Sequence, residues 1–359
     1  MSRRPSVPIA LGLVATLGLG ACGASEPVPA AGGPTGSSSP SAGGGTSASG
    51  GTRYPITLDN CGTQVTLDRA PSKVVSLDQD ATEIMLSLGL ADRLVGTASW
   101  TDPVLPSLAD ANAKVTRLAD NAPTYEVVMG TDPDFVAASF GRHFAQGGVA
   151  PRARFAETGI DTYLSPTDCD NGRSINGGGK RTKPLTVDAL HQEIRELARV
   201  FDVAPRGEQL IASLTEREAK ALEGVDAEGK TIAYWFADTK TPYVASDLGA
   251  PGFLTRKIKA KNVFTDVPDD WTASTWETVV EKNPDVLVLG DLQRDRFPGD
   301  RLDDKVTFLK TDPLTKTMPA VQNQRFVSLH GSELNPSIRY VDGLEKLGDW
   351  WRKNGANVD

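Results

Sequence analysis

Residues Tyr125–Ser139 read "YEVVMGTDPDFVAAS", and residues Trp276–Asp291 read "WETVVEKNPDVLVLGD". Each stretch opens on an aromatic–Glu pair, continues as a short helical pattern, reaches Pro-Asp and enters an apolar run. Tyr125 and Trp276 stand 151 positions apart, and so do Pro133 and Pro284. A chain that repeats a helix–turn–strand unit at one offset is built as two related halves. The surrounding pattern agrees. In the first half "KVVSL" (73–77), "RLVGTASW" (93–100), "DFVAAS" (134–139) and "ETGIDTYLS" (157–165) read as strands. Between them, "ATEIMLSLGL" (81–90) carries apolar residues at helical spacing. In the second half "KTIAYWFA" (230–237), "NVFTDV" (262–267), "DVLVLGD" (285–291) and "RFVSLH" (325–330) are strand candidates, and 337–351 reads as an amphipathic helix. Strands alternating with short helices imply parallel sheets covered on both faces. The expected fold class is α/β: two lobes with mainly parallel sheets, joined by a helical connector.

The connector is the stretch between the halves. Leu190, Ile194, Leu197 and Phe201 follow helical spacing, as do Leu210, Leu214 and Leu222. Residues 202–207 interrupt the pattern, and Pro205 suits the first turn of a second helix. Helices resist bending more than a loop does. The reading therefore divides the folded body into an N-terminal lobe (54–185), a connector (186–225) and a C-terminal lobe (226–359).

The start of the chain is of another kind. Arg3 and Arg4 precede a short apolar stretch, Val7–Leu19, that ends in "LGAC". This is the layout of a secretory signal peptide, here residues 1–21, and it is too short for a stable membrane span. "LGAC" resembles the bacterial lipobox, in which the Cys thiol takes a diacylglycerol and the leader is cut before it. That implies lipidation at Cys22 and a protein anchored on the extracytoplasmic face of the cell membrane. Residues 22–53, rich in Gly, Ser, Ala, Pro and Thr, cannot bury enough surface to order themselves and read as a disordered tether. A flexible coil of about 30 residues spans roughly 30 Å. Two further cysteines, Cys61 and Cys169, form an even pair in an oxidising compartment and are expected to join as a disulfide. The net charge of −8 argues against nucleic acid or anionic membrane as a partner. "NGRSINGGGKRT" (171–182) fails the phosphate-loop pattern, because Arg181 follows Lys180, and reads as a surface loop.

Several segments together carry a family likeness. "APSKVVSLDQDATEIMLSLGLADRLVG" (70–96), the paired Pro-Asp segments, "LHQEIRELARVFDVAPRGEQLIASL" and "VSLHGSELNPSIRYVDGLEKL" resemble periplasmic-binding proteins of the iron-siderophore/vitamin B12 class, over about residues 70–350. The resemblance implies two α/β lobes on a rigid helix and a ligand held in the cleft. It also implies a loaded protein that docks on an ABC-type permease. In that family an exposed Glu on each lobe meets basic residues of the permease; the matching positions are Glu126 and Glu277. A carboxylate near a helix N-terminus is favoured by the helix dipole and accepts paired hydrogen bonds from Arg.

In open α/β sheets, ligands gather at the carboxyl ends of the strands. The residues there are Trp100; Arg142, His143 and Phe144; Trp235, Phe236 and Tyr243; Trp271; and Arg339 with Tyr340. Aromatic faces and guanidinium groups suit a bulky, partly anionic ligand such as a ferric siderophore. A corrinoid, haem or another bulky cofactor is the alternative. Direct Zn or Mn binding is disfavoured: only His143, His191 and His330 exist, and none has ligand spacing. No GxSxG, HExxH or nucleotide loop marks an enzyme. No resident metal or cofactor is expected, and the protein is expected to act as a monomer.

Overall fold

The computed structural model describes residues 51–358 except Asp295. The expected signal peptide, Cys22 and most of the expected tether lie outside the described residues. An antiparallel hairpin of β1 (Ile56–Asn60) and β2 (Thr63–Leu67) precedes the first sheet. That sheet consists of β3 (Val74–Leu77), β4 (Leu94–Ala98), β5 (Arg117–Ala119), β6 (Phe135–Ala138) and β7 (Asp161–Leu164). The strands lie in the order β5-β4-β3-β6-β7, and every neighbouring pair is parallel. β3 and β6 are buried at every position, as strands covered on both faces must be. Val75, Leu77, Val136 and Ala138 pack with Val128 and Phe155 on one face. Val74 and Phe135 turn the other way and join Ile194, Leu197 and Phe201 of the connector. A small hairpin, β8 (Cys169–Asp170) with β9 (Arg173–Ser174), follows, and its Cys169 is disulfide-bonded to Cys61.

The second sheet is mixed. It contains β10 (Thr231–Ala237), β11 (Tyr243–Ala245), β12 (Lys261–Asn262), β13 (Trp271–Ala273), β14 (Val286–Asp291) and β15 (Phe326–His330). β12 and β14 run parallel to β10, and β15 runs parallel to β14. β11 and β13 add an antiparallel extension that the alternation of strands and helices does not announce. The strand expected over 262–267 shrinks to two residues. Asn262 donates through Nδ2 to the carbonyls of Ala245 (3.1 Å) and Ser246 (2.9 Å), and its Oδ1 accepts from the Phe264 N–H (3.0 Å). Those local bonds take the place of a ladder.

The repeated segments fold alike. Thr124 and Thr275 cap the short helices Tyr125–Met129 and Trp276–Lys282, each accepting from the N–H three residues on. Asp132 and Asn283 occupy left-handed backbone at φ 52° and 39°, just before the two prolines. Asp134 then accepts from the backbone N–H groups of Ser72 and Lys73 at the entry to β3, 2.9 Å each. Asp285 accepts from the N–H and hydroxyl of Thr231, the first residue of β10, both at 2.8 Å. The Pro-Asp pair is thus a fastener that ties each repeated turn to the start of its central strand.

Helices Val187–Val200 and Ala204–Leu222 run between the sheets and pack on one another. A Cβ at Gly207 would come within 2.7 Å of the Ala198 methyl, so glycine permits their close approach. Their apolar faces belong to one continuous core that includes Val74 and Phe135 of the first sheet and Ile232, Val286 and Val288 of the second. Arg217 adds ion pairs to Asp342 (2.5 Å) and Glu345 (2.8 Å) on the C-terminal helix Tyr340–Asn354. A connector buried in a shared core resists hinge motion.

Candidate functional site

The carboxyl ends of the two sheets face each other across a cavity of about 390 Å³. A neighbouring hollow of about 460 Å³ shares Trp100, Thr101, Asp120, Arg294 and Arg296 with it. The first lobe contributes the turns after β3 (Asp78, Asp80), β4 (Trp100), β5 (Asp120) and β6 (Phe140, Arg142). The second contributes the end of β10 (Phe236), the antiparallel extension (Tyr243, Trp271) and the loop after β14 (Arg294, Arg296, Phe297).

The first lobe supplies a charged floor. Asp78 sits before helix Gln79–Ser87 and is buried. Its carboxylate accepts from the Arg142 guanidinium, from the Phe140 N–H (3.1 Å), and meets His143 Nε2 at 2.8 Å. Burial alone would raise its pKa, but the charges of His143 and Arg142 outweigh it and hold the group below the usual carboxylate range. Arg142 lies over the Phe140 ring at 4.5 Å and keeps about half its side chain open to the cleft. Asp80, one residue into the helix, is 2% exposed, and its Oδ1 has no hydrogen-bond partner. Burial, then the negative charges of Asp78 and Glu83, pushes its carboxyl well above the usual range.

The second lobe supplies an aromatic wall. Trp271 stacks on Tyr243 (5.9 Å, 17°) and leans on Phe236 (5.0 Å). Arg294 lies over both Phe236 and Phe297 at 5.6 Å and pairs with Asp300 at 3.3 Å.

Bonds across the cleft fix the distance between floor and wall. Buried Arg339 donates through Nε to Glu83 (2.8 Å), with a second bond to the same carboxylate, and through NH2 to the Pro103 carbonyl (2.6 Å). Asp102 accepts from the N–H and hydroxyl of Ser332, both 2.8 Å. Arg181, in the loop read as a mere surface excursion, is 5% exposed and clamps Asp270 with two bonds, at 2.5 and 2.9 Å. That loop is a wall of the site: it is pinned by the Cys61–Cys169 disulfide and carries Asn176 into the cavity lining.

Of the ten residues named from sequence, Trp100, Arg142, Phe236, Tyr243 and Trp271 line the cavity. The other five do not. His143 is fully buried behind Asp78 and holds that carboxylate in place. Phe144 packs edge-on to Phe155 in the first-lobe core. Trp235 points to the opposite face of β10 from Phe236 and meets Trp276 at 4.7 Å, because successive side chains alternate along a strand. Arg339 is consumed by Glu83. Tyr340 lies in the core against Phe253. Arg294, Arg296 and Phe297 were missed, although they directly follow a strand that the sequence displayed. Glu126 and Glu277 are both exposed, away from the cavity lining. Among the described residues, no group of three or more His, Cys, Asp and Glu could hold a metal ion, and no helix is long and apolar enough to cross a membrane.

An uncharacterised ABC transporter substrate-binding lipoprotein of Bacillus subtilis (strain 168) is 25% identical over 249 residues, covering 66% of this chain and 70% of that protein. A cobalamin-binding protein of Halobacterium salinarum is 22% identical over 307 residues, covering 82% and 74%. A solved structure of an ABC-type Fe3+-hydroxamate transport system from Saccharomonospora viridis superposes with a TM-score of 0.67 at 25% identity, covering 83% of this chain and 99% of that one. These are proteins of binding and transport rather than enzymes. Residues 74–333, spanning both sheets and the connector, match the family model described as periplasmic binding protein, and the chain belongs to that family.

Proposed function

We propose that the protein is the substrate-binding lipoprotein of an ABC importer, and that it captures a ferric siderophore of the hydroxamate type. The observation that carries this reading is the composition of the cleft: an aromatic wall of Phe236, Tyr243 and Trp271, with Arg294 lying over Phe236, opposite Arg142 of the first lobe. A ferric chelate is bulky, has apolar edges and presents a cluster of metal-bound oxygens. Aromatic rings cover the edges, and guanidinium groups donate to the oxygens. The likeness to the hydroxamate transport structure supports the same class. The cobalamin-binding relative favours a second reading, a corrinoid in the same cleft. On either reading, Cys22 carries the lipid that keeps the protein on the extracytoplasmic face, where it works as a monomer. Glu126 and Glu277, one per lobe, dock the loaded protein on the permease.

Trp100 and Trp271 line the cavity, so bound ligand quenches tryptophan emission. Titration with ferric hydroxamates, ferric catecholates, cobalamin and haem tests the assignment. Saturable quenching by a ferric hydroxamate is expected. Quenching by cobalamin with no response to any ferric chelate would transfer the function to the corrinoid reading. For docking, Glu126→Ala combined with Glu277→Ala is expected to abolish import and leave ligand affinity intact; lost affinity would place those residues in the binding machinery instead.

A further inference from the structure

Among the described residues, four carboxylates line the cavity: Asp78, Asp80, Asp120 and Asp270. Three have an arginine. Asp78 pairs with Arg142, Asp120 with Arg117 at 3.3 Å, and Asp270 with Arg181. Behind the floor, Glu83 is taken by Arg339, and Glu193 accepts from the Ser165 hydroxyl at 2.5 Å. Among the described residues Asp80 is the exception: each of those acids has at least one partner and Glu193 leaves only its Oε1 unpaired, whereas the Asp80 carboxyl makes no hydrogen bond or ion pair and its Oδ1 is buried. Folded proteins rarely leave a buried polar atom unpaired without a use for it. We propose that Asp80 is the recognition point for a protonated nitrogen of the bound ligand, so that the preferred substrate is a chelate bearing a free amine. This rests on the chelate reading of the cleft and deepens it.

The surroundings select a cation over an anion or a neutral oxygen. The charged and titratable groups facing Asp80 are Asp78 just after β3, Glu83 one turn on, Glu193 from the connector, which burial keeps protonated to about pH 8, and Arg339 from the other lobe. Asp78 and Glu83 outnumber the one guanidinium among the charged groups, and Arg142 and His143 bond Asp78 rather than Asp80. An arriving ammonium supplies both the missing hydrogen bond and the missing positive charge. Asp80 then ionises in the first turn of a nine-residue helix, where the dipole favours negative charge. A bare metal ion is a poor fit, since among the described residues no group of three or more His, Cys, Asp and Glu is placed to complete a coordination shell.

The test uses a matched pair of ferric trihydroxamates, one with a pendant primary amine and the other with that amine acetylated. Both are titrated by fluorescence at pH 7 into the wild type and Asp80→Asn. The wild type is expected to bind the amine form about tenfold more tightly, the scale of a charge-assisted hydrogen bond. Asp80→Asn is expected to bind both forms with the affinity of the acetylated one. Equal wild-type affinity for the two chelates overturns this assignment and leaves the chelate reading standing, as does a preference that survives in Asp80→Asn. Failure of both chelates to bind the wild type overturns the chelate reading, and this assignment with it. Should Asp80→Asn not fold, the wild-type comparison decides alone.

Discussion

Asp134 and Asp285 play matching parts in the two halves, each fastening a turn to the entry of a central strand. Thr124 and Thr275 match as caps, and Asp132 and Asn283 match in backbone conformation. The residues facing the cleft share no such correspondence. The first lobe offers Asp78, Asp80 and Arg142 from turns after parallel strands. The second offers Tyr243 and Trp271 from an antiparallel extension that the first lobe lacks, and Arg294 from the loop after β14. The matched residues bond within the backbone framework of each lobe and are therefore constrained twice by the same geometry. The unmatched ones sit on strand-end loops, whose sequence is free to change without unfolding the sheet.

The halves also meet through bonds that neither repeat predicts, and these give the largest expected effect. Arg339→Ala leaves Glu83 buried without its countercharge. Breaking one partner of such a pair costs about 3–5 kcal/mol. Urea unfolding should show that loss. A change below about 1 kcal/mol would mean that the connector alone holds the lobes together.

The next effect concerns pH. Burial pushes Glu193, on the connector, up to about 8, against an ordinary glutamate value near 4.3 in the unfolded chain. Between those values the folded protein keeps a proton that the unfolded chain has released. Stability therefore falls as pH rises from about 5 to about 8, and the loss is complete above the folded value. Glu193→Gln removes that proton at nearly constant shape. From pH 5 to pH 8 its stability relative to wild type should improve by about 2–4 kcal/mol. Parallel curves for the two proteins would show that Glu193 is ionised in the fold.

These buried pairs also mark the limit of what the sequence displayed. The strands Val74–Leu77, Phe135–Ala138 and Val286–Asp291 and both connector helices were legible, because apolar spacing carries them. β11 and β13 were not, since three residues hold too little pattern to distinguish a strand from a loop. Arg339 looked like a ligand contact because Glu83, 256 positions away, is invisible to a local reading. His143 was misplaced for the same reason, its partner Asp78 being 65 positions upstream. Trp235 and Phe236 could have been separated by alternation alone. Arg294 and Phe297 needed only the rule that sites follow strand ends, applied once more at Asp291.

A smaller effect tests the matched side directly. Asp134→Ala and Asp285→Ala each remove a carboxylate that accepts more than one hydrogen bond at a strand entry. Each should cost about 1–3 kcal/mol, with the two values within about 1 kcal/mol of one another. Equal losses support one structural device used twice. A neutral change at one position would show that the repeat has kept the residue there without its role.

The smallest expected effect on folding falls on the other element the two repeated segments share. Glu126 lies 3.8 Å from Arg154, with both side chains largely exposed, and Glu277 is exposed on its own short helix. Solvent screens such contacts, and a carboxylate in a helix's first turn helps only slightly. Glu126→Gln and Glu277→Gln should leave the melting temperature and ligand titration unchanged, alone and together. Import by cells carrying the double variant should nevertheless fall. Fold-level selection cannot then be the reason that both halves carry a glutamate in the same place, which leaves a partner that contacts both lobes at once. A drop in melting temperature comparable to that of the aspartate variants would instead assign the glutamates to the fold, and the repeated segment would be structural throughout.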